Sequence, residues 1–382
     1  MIVRKFWLTK IYEAWKIRPI VWLSGVRRVG KTTLSKMLTD IIYLNCDLPT
    51  TWRKLQDPES FYQSLEKNAV VVFDEIHRLD DPSNLLKIAA DEYPNLRILA
   101  TGSSTLAATK KFRDTLTGRK QTIYLSPVLW QECQNEFGVN DLDKRLLHGG
   151  LPESLLMDAK DESFFSEWID SFYARDIQEL FAIRNRSGFL KLLRILMRQS
   201  GGLADYTNLA KLSDLSRQTV KSHIESLTIA HALHLLSPFH GGGRREITQR
   251  PKVYAFDTGF ITHMNGWNDI REEDRGLLWE HLVLDTLRTF TTAYNVMYWR
   301  DKSGREIDFI LRGQNNLVHT LECKINPDNF NINSLKFFRE LYPKGKNLVI
   351  CPFLSEIYVQ KIGGISVVFC PISKVSEHLG KI

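Results

Sequence analysis

The residues Gly25-Val26-Arg27-Arg28-Val29-Gly30-Lys31-Thr32 constrain this chain more than any other stretch, because they fill the pattern G-x-x-x-x-G-K-[ST] completely and Thr33 follows them. An apolar run from Pro19 to Leu23 precedes the pattern and helical spacing from Lys31 to Asp40 follows it, so the glycines stand where a strand turns into a helix. In that setting, backbone N–H groups and a helix N-terminus gather around phosphates. Lys31 is expected to reach the β- and γ-phosphates, and the Thr32 hydroxyl to ligate Mg²⁺. Gly25 through Thr33 are the expected nucleotide contacts.

The flanking sequence supplies the sheet such a loop needs. Ile41–Leu44, Ala69–Phe73, Leu96–Ala100 and Gln121–Leu125 are short apolar runs separated by helical patterns, as in a parallel sheet covered on both faces. The run Val70 to Phe73 ends in Asp74-Glu75, which puts Asp74 near the Mg²⁺ and Glu75 where it can polarise an attacking water. The next run ends Ala100-Thr101-Gly102-Ser103-Ser104. Either serine, Ser103 foremost, can sense the γ-phosphate; the other reading is that it caps the following helix.

Together with Leu116-Thr117-Gly118-Arg119, these strings resemble an AAA-type P-loop ATPase. The strings His148-Gly149-Gly150-Leu151-Pro152-Glu153, Phe172-Tyr173-Ala174-Arg175-Asp176-Ile177 and Pro251 to Gly259 narrow the resemblance. They are similar to prokaryotic ATPases that join an AAA core to a C-terminal domain of unknown function, itself similar to restriction endonucleases. The resemblance implies ATP and Mg²⁺ as cofactors and a homo-oligomer. It makes Arg119 an arginine finger toward a neighbouring subunit, with a turn residue or a contact within one chain as the other readings. No arginine marks a second sensor.

Charge points to a partner. The chain carries +7 overall, but residues 184–256 hold twelve basic against four acidic residues, while residues 151–183 hold two against eight. A local excess of that kind suits nucleic-acid phosphates. Within it, Asp205 to Leu212 has helical spacing with Leu209 and Leu212 expected inward. After a short turn, Ser216 caps a second helix with Val220, Ile224 and Leu227 on one face and Arg217, Gln218, Thr219, Lys221 and Ser222 on the other. With His231–Phe239 and Pro251–Phe256 as wing strands and Gly241–Arg245 as their tip, this reads as a winged helix that binds DNA. Such modules also dock proteins.

Near the C-terminus, Asp308 in the run Glu306 to Leu311 and Glu322-x-Lys324 after a turn resemble the core of the PD-(D/E)xK nuclease fold, with Glu280 at its helical acidic position. Ile307 stands where that fold's name-giving proline would be. Alternation places each strand's polar side chains on one face, so Asp308 and Glu322, with Glu280, are the expected ligands of a divalent cation and Lys324 the partner of the attacking water. A structural hairpin with a Lys–Glu pair is the alternative.

At 382 residues with 43% hydrophobic and 25% charged content, the chain is too long for one ordinary domain and too apolar for disorder. The expected architecture is α/β: an AAA-type core over residues 1–135, a helical lid or linker over 136–188, a winged helix over 189–260 and a restriction-endonuclease-like domain over 261–382. No run approaches the ~18 apolar residues of a membrane span, and the first residues lack a secretory signal. Five scattered cysteines without a CxxC pair fit a reducing cytosol. The expected function is an ATPase that acts on DNA, with a regulatory ATP switch carrying a non-catalytic docking domain as the rival.

Overall fold

The structure, a computed structural model, describes residues 2–102, 110–178, 181, 183, 185–241, 250–290, 296–313 and 317–379. Five strands, β1 (Ile20–Ser24), β2 (Ile41–Asn45), β3 (Val70–Asp74), β4 (Arg97–Thr101) and β5 (Lys120–Tyr124), form an all-parallel sheet in the order β2-β3-β4-β1-β5. Every residue of β1 is buried, as expected of a central strand covered on both faces. Because β1 lies between β4 and β5, the chain crosses over between non-neighbouring strands. That leaves a crevice at the strands' C-terminal ends, the place where open α/β sheets hold ligands.

The N-terminal helix Lys5–Trp15 buries Trp7, Ile11, Ala14 and Trp15, a stripe at helical spacing. Arg4, just before it, forms a buried ion pair with Glu132 at 2.7 Å and donates to the carbonyls of Ser126 (3.1 Å) and Val29 (3.2 Å). This fastens the N-terminus to the glycine loop. The helix after that loop runs only Lys31–Ser35; the expected continuation to Asp40 is made of turns, and Asp40 has φ +53°.

Helices Leu142–His148, Pro152–Leu156 and Glu162–Phe172 follow, the last continuing into a π-helical turn, Tyr173–Gln178. After helix Arg186–Arg198, helices Tyr206–Ser213 and Arg217–Ile229 lead into an antiparallel pair, β6 (Leu233–Leu236) and β7 (Lys252–Ala255), with Leu233 opposite Ala255. The expected wing tip is described only as far as Gly241; residues 242–249 lie outside the described residues. Leu209 is buried as expected, but Leu212 is 41% exposed. Tyr206–Ser213 is a short helix, and its inward stripe passes through Leu209 and Ser213, one turn apart, which leaves Leu212 to one side.

Two glycine strings lock together. Asp257 accepts from the N–H of Gly150 (2.5 Å) and of Gly259 (2.8 Å), and Arg145 donates to Val128 O and Thr258 Oγ1. Gly149 has φ +79°, and a Cβ there would stand 1.9 Å from Asp257 Oδ1, so only glycine fits. Helix Thr258–Asn265 thus packs on Leu142–His148, and the boundary expected at residue 260 falls inside a helix.

The C-terminal region is a six-stranded mixed sheet of β8 (Val296–Arg300), β9 (Glu306–Arg312), β10 (Val318–Cys323), β11 (Asn347–Cys351), β12 (Tyr358–Ile362) and β13 (Ile365–Pro371), in the order β12-β13-β11-β10-β9-β8. Helix Glu272–Phe290 covers it. Leu278, Trp279 and every residue from His281 to Leu287 are buried, so it is a core helix rather than a surface one. One continuous apolar cluster runs from Trp7 through the middle segment to Leu379. All five cysteines are buried and free, and among the described residues no helix is long and apolar enough to cross a membrane.

Candidate functional site

A cavity of about 750 Å³ opens at the C-terminal ends of the parallel strands, a volume suited to a small organic ligand. The glycine loop forms one wall. Gly25 (φ +148°) and Gly30 (φ +99°) take conformations open to glycine, and a Cβ on Gly25 would stand 2.6 Å from Leu125 O. Lys31 Nζ donates to Gly25 O (2.9 Å) and Val26 O (3.0 Å) and folds back over the loop. Burial pushes the Lys31 ammonium pKa down, opposed by the nearby charge of Glu75.

Asp74 is the hub. It is 3% exposed; its Oδ2 accepts from Thr32 Oγ1 (2.9 Å) and Tyr43 OH (2.5 Å), and its Oδ1 from Thr101 Oγ1 (2.5 Å). Parallel pairing puts Asn45 level with Asp74 and Leu23 level with Thr101, so four strand ends converge on this point. Thr101 Oγ1 in turn accepts from the N–H of Glu75. Glu75 has φ +57°, a costly conformation for a residue with a side chain, and lines the cavity with its carboxylate 3.2 Å from His77 Nδ1. Burial raises the Glu75 pKa, but the hydrogen bond from His77 and the charge of Lys31 outweigh it and hold the carboxyl below its ordinary value. It is therefore ionised at neutral pH, as a base must be.

The donor set fits a magnesium nucleotide: a glycine cradle, an ammonium, and a hydroxyl–carboxylate pair of hard oxygen ligands. Thr32 and Asp74 would hold the ion, whose positive charge would offset the negative charge of the phosphates.

Not every expected residue lies here. Gly25 to Arg28, Gly30 to Thr33 and Glu75 line the cavity, Val29 is buried in the core and Asp74 lies behind Thr32, while Ser103 and Ser104 lie outside the described residues. Arg119 precedes β5, whose first residue, Lys120, is level with Ile20, so it lies at the sheet edge opposite the loop. There it makes a two-pronged pair with Asp91 at 2.6 and 2.9 Å and does not enter its own chain's cavity. Tyr43, Thr101 and His77 were not singled out as site residues. Thr101 alone left a signal, as the last residue of a recognised apolar run.

In the C-terminal sheet the antiparallel register pairs Leu321 with Phe309, which carries Glu322 opposite Asp308 on the same face. Lys324 Nζ lies 3.0 Å from Glu322 and 4.0 Å from Asp308. Burial and the nearness of Asp308 raise the Glu322 pKa, while Asp308 and Glu322 keep Lys324 charged against the cost of burial. Glu280 comes from the neighbouring helix, but its carboxylate is bound by Tyr254 and, at 3.3 Å, by Lys252, both from β7. Lys252 is 4% exposed and also pairs with Glu306. Asp308 and Glu322 suit a divalent cation, whereas Glu280 is already neutralised by an ammonium. Among the described residues no group of three or more His, Cys, Asp or Glu side chains is arranged to hold a metal ion. Lys252 falls within the string Pro251 to Gly259, but nothing in the sequence tied it to Glu280 or Glu306, which belong to a different part of the fold.

Arg217, Gln218, Lys221 and Ser222 are exposed on helix Arg217–Ile229, and Thr219 is half-buried. Ser216 caps that helix by accepting from Thr219 N, as expected.

Three family models match successive parts of the chain: "AAA domain" over residues 17–134, "Domain of unknown function (DUF8612)" over 139–271 and "Domain of unknown function (DUF4143)" over 275–374. The N-terminal part is thus similar to AAA domains, while the C-terminal match names no activity. Uncharacterized proteins Rv2008c of Mycobacterium tuberculosis and Mb2031c of Mycobacterium bovis are each 25% identical over 318 residues, covering 81% of this chain and 71% of theirs. Among solved structures, the Walker-type ATPase PABY2304 of Pyrococcus abyssi is 17% identical with a TM-score of 0.44, over 69% of this chain and 96% of that one. A single-substitution variant of RuvB from Thermotoga maritima is 19% identical with a TM-score of 0.31, over 61% and 89%.

Proposed function

We propose that the chain binds and hydrolyses ATP with Mg²⁺ and couples that cycle to DNA. The observation that carries the first half is Asp74 joined to Thr32, Tyr43 and Thr101 beside a cavity that Lys31, Thr32 and Glu75 line. Lys31 and the loop N–H groups bind the phosphates, Thr32 and Asp74 would hold the ion, and ionised Glu75 takes a proton from water as it attacks the γ-phosphorus, while the bond from that phosphorus to the bridging oxygen breaks and ADP leaves with the electron pair. Lys31→Ala is expected to abolish ATP binding in a calorimetric titration; unchanged affinity would defeat the assignment. Arg119 suits a role in trans, since its own cavity is at the far edge of the sheet.

The DNA half rests on the exposed Arg217, Gln218, Lys221 and Ser222 of a capped helix followed by a hairpin, read as a winged helix, within the most basic part of the chain. For the C-terminal sheet, Asp308, Glu322 and Lys324 on one face support a restriction-endonuclease-like site. The tie of Glu280 to Lys252 and Tyr254 favours the second reading, a domain that docks and does not cut. Incubating the protein with duplex DNA and Mg²⁺ or Mn²⁺ separates them. Cleavage lost in Asp308→Ala supports the nuclease, and intact DNA throughout supports docking.

A further inference from the structure

The string Phe172-Tyr173-Ala174-Arg175-Asp176-Ile177 has no part in the hydrolysis proposed for Glu75, yet it forms a wall of the nucleotide cavity. The helix Glu162–Phe172 widens into the π-helical turn Tyr173–Gln178, an irregularity common at functional sites. The turn buries Tyr173 and Ile177 and sets Arg175 and Asp176 against the cavity.

Two contacts clamp this helix onto a single residue of the phosphate loop. Trp168 Nε1 donates to Arg27 O at 3.0 Å, and Arg27 Nε donates to Asp176 Oδ2 at 3.1 Å. Trp168 is itself fixed by stacking on Phe172 and Phe256, so the clamp has a rigid backing. The charges that Asp176 feels, besides Arg27, are those of Lys31 and Glu75. Asp176 lines the same cavity as Lys31 and Glu75, the residues assigned to the terminal phosphate and its attacking water. Carboxylate and phosphate carry the same sign and compete for the same guanidinium.

We propose that Asp176 makes the site sense the terminal phosphate: it holds Arg27 while the site is empty or carries a diphosphate, and a triphosphate takes Arg27 from it. Exchange of that partner loosens helix Glu162–Gln178 from the phosphate loop, with Arg175 as a second cation on the moving wall. The proposal rests on the cavity being a nucleotide site, and it adds a discriminating residue to that reading. It also gives the Trp168-bearing helix two discrete arrangements that the ligand selects between.

Calorimetric titration of the full chain with ATP and with ADP tests it. Asp176→Asn keeps the side chain's size and removes its charge. ATP affinity is expected to rise about five- to tenfold, the lower part of the usual range for coupling between sites, with ADP affinity changed less than about twofold. In an Arg27→Ala background the gain should vanish, because the contested cation is gone. Arg27→Ala alone provides a second arm: it should weaken ATP by a larger factor than ADP, because the loop N–H groups that hold a diphosphate remain in place. Equal tightening of both nucleotides, no tightening, or a gain that survives Arg27→Ala overturns the proposal. A parent chain that binds neither nucleotide overturns the nucleotide reading itself and the proposal with it.

Discussion

The Thr32 hydroxyl donates to Asp74 Oδ2 at 2.9 Å, joining two motifs 42 residues apart in the chain. The contact follows from sheet order: β1 carries the glycine loop, β3 ends in Asp74, and β4 between them delivers Thr101 to the other carboxylate oxygen. An Asp74 rotated away would take from three hydroxyls, those of Thr32, Tyr43 and Thr101, their shared acceptor, so the group holds its geometry by mutual satisfaction.

If Arg119 serves a neighbouring subunit, Arg119→Ala should hydrolyse ATP poorly alone and regain activity when mixed with Lys31→Ala. A mixed interface then pairs an intact loop with an intact arginine. The Asp91 pair is solvent-screened and therefore a weak hold, so it does not prevent Arg119 from leaving. No recovery after verified subunit exchange assigns Arg119 to its own chain.

Replacing Arg217 and Lys221 by alanine should weaken duplex DNA binding and flatten its salt dependence. Two lost phosphate contacts should reduce the log–log slope by about 1.8. Parental affinity and slope in the double variant would mark the helix as a protein-docking surface.

His281 predicts an acid-sensitive fold. Its Nδ1 donates to Leu277 O (2.8 Å), which leaves Nε2 to accept from Ser200 Oγ (2.7 Å); Ser200 Oγ accepts from Ala255 N. The ring is 3% exposed, and burial pushes its pKa down to about 4, below the unfolded value of about 6.5. Between these values the unfolded chain binds the extra proton, so the stabilisation is complete above pH ~6.5 and is lost as the pH falls toward 4. It amounts to up to ~3 kcal/mol. Urea unfolding at pH 7 and pH 4.5 should show a smaller acid loss for His281→Gln than for the parent. Equal losses would mean that His281 does not drive the effect.

The nucleotide loop was legible in the sequence because its chemistry is local: glycine spacing, one lysine and one hydroxyl within a single turn of chain. The parallel strands were legible for the same reason, as uninterrupted apolar runs. Tyr43 and Thr101 were not, because each reaches Asp74 only through the pairing of β2 and β4 with β3. Alternation on β9 and β10 foretold that Asp308 and Glu322 share a face. It said nothing of Lys252, which arrives from a hairpin more than fifty residues earlier in the chain. His148 to Glu153 and Pro251 to Gly259 were visible as strings. That Gly149 is required by Asp257 follows only from their packing.

The most direct test of the account measures ATP affinity and steady-state ATP turnover side by side for the parent chain and Glu75→Gln. The carboxamide keeps the shape of Glu75 but cannot take a proton from water. Affinity should therefore stay within about twofold, while turnover falls by roughly 100-fold or more. Turnover by Glu75→Gln at the parental rate would contradict the account.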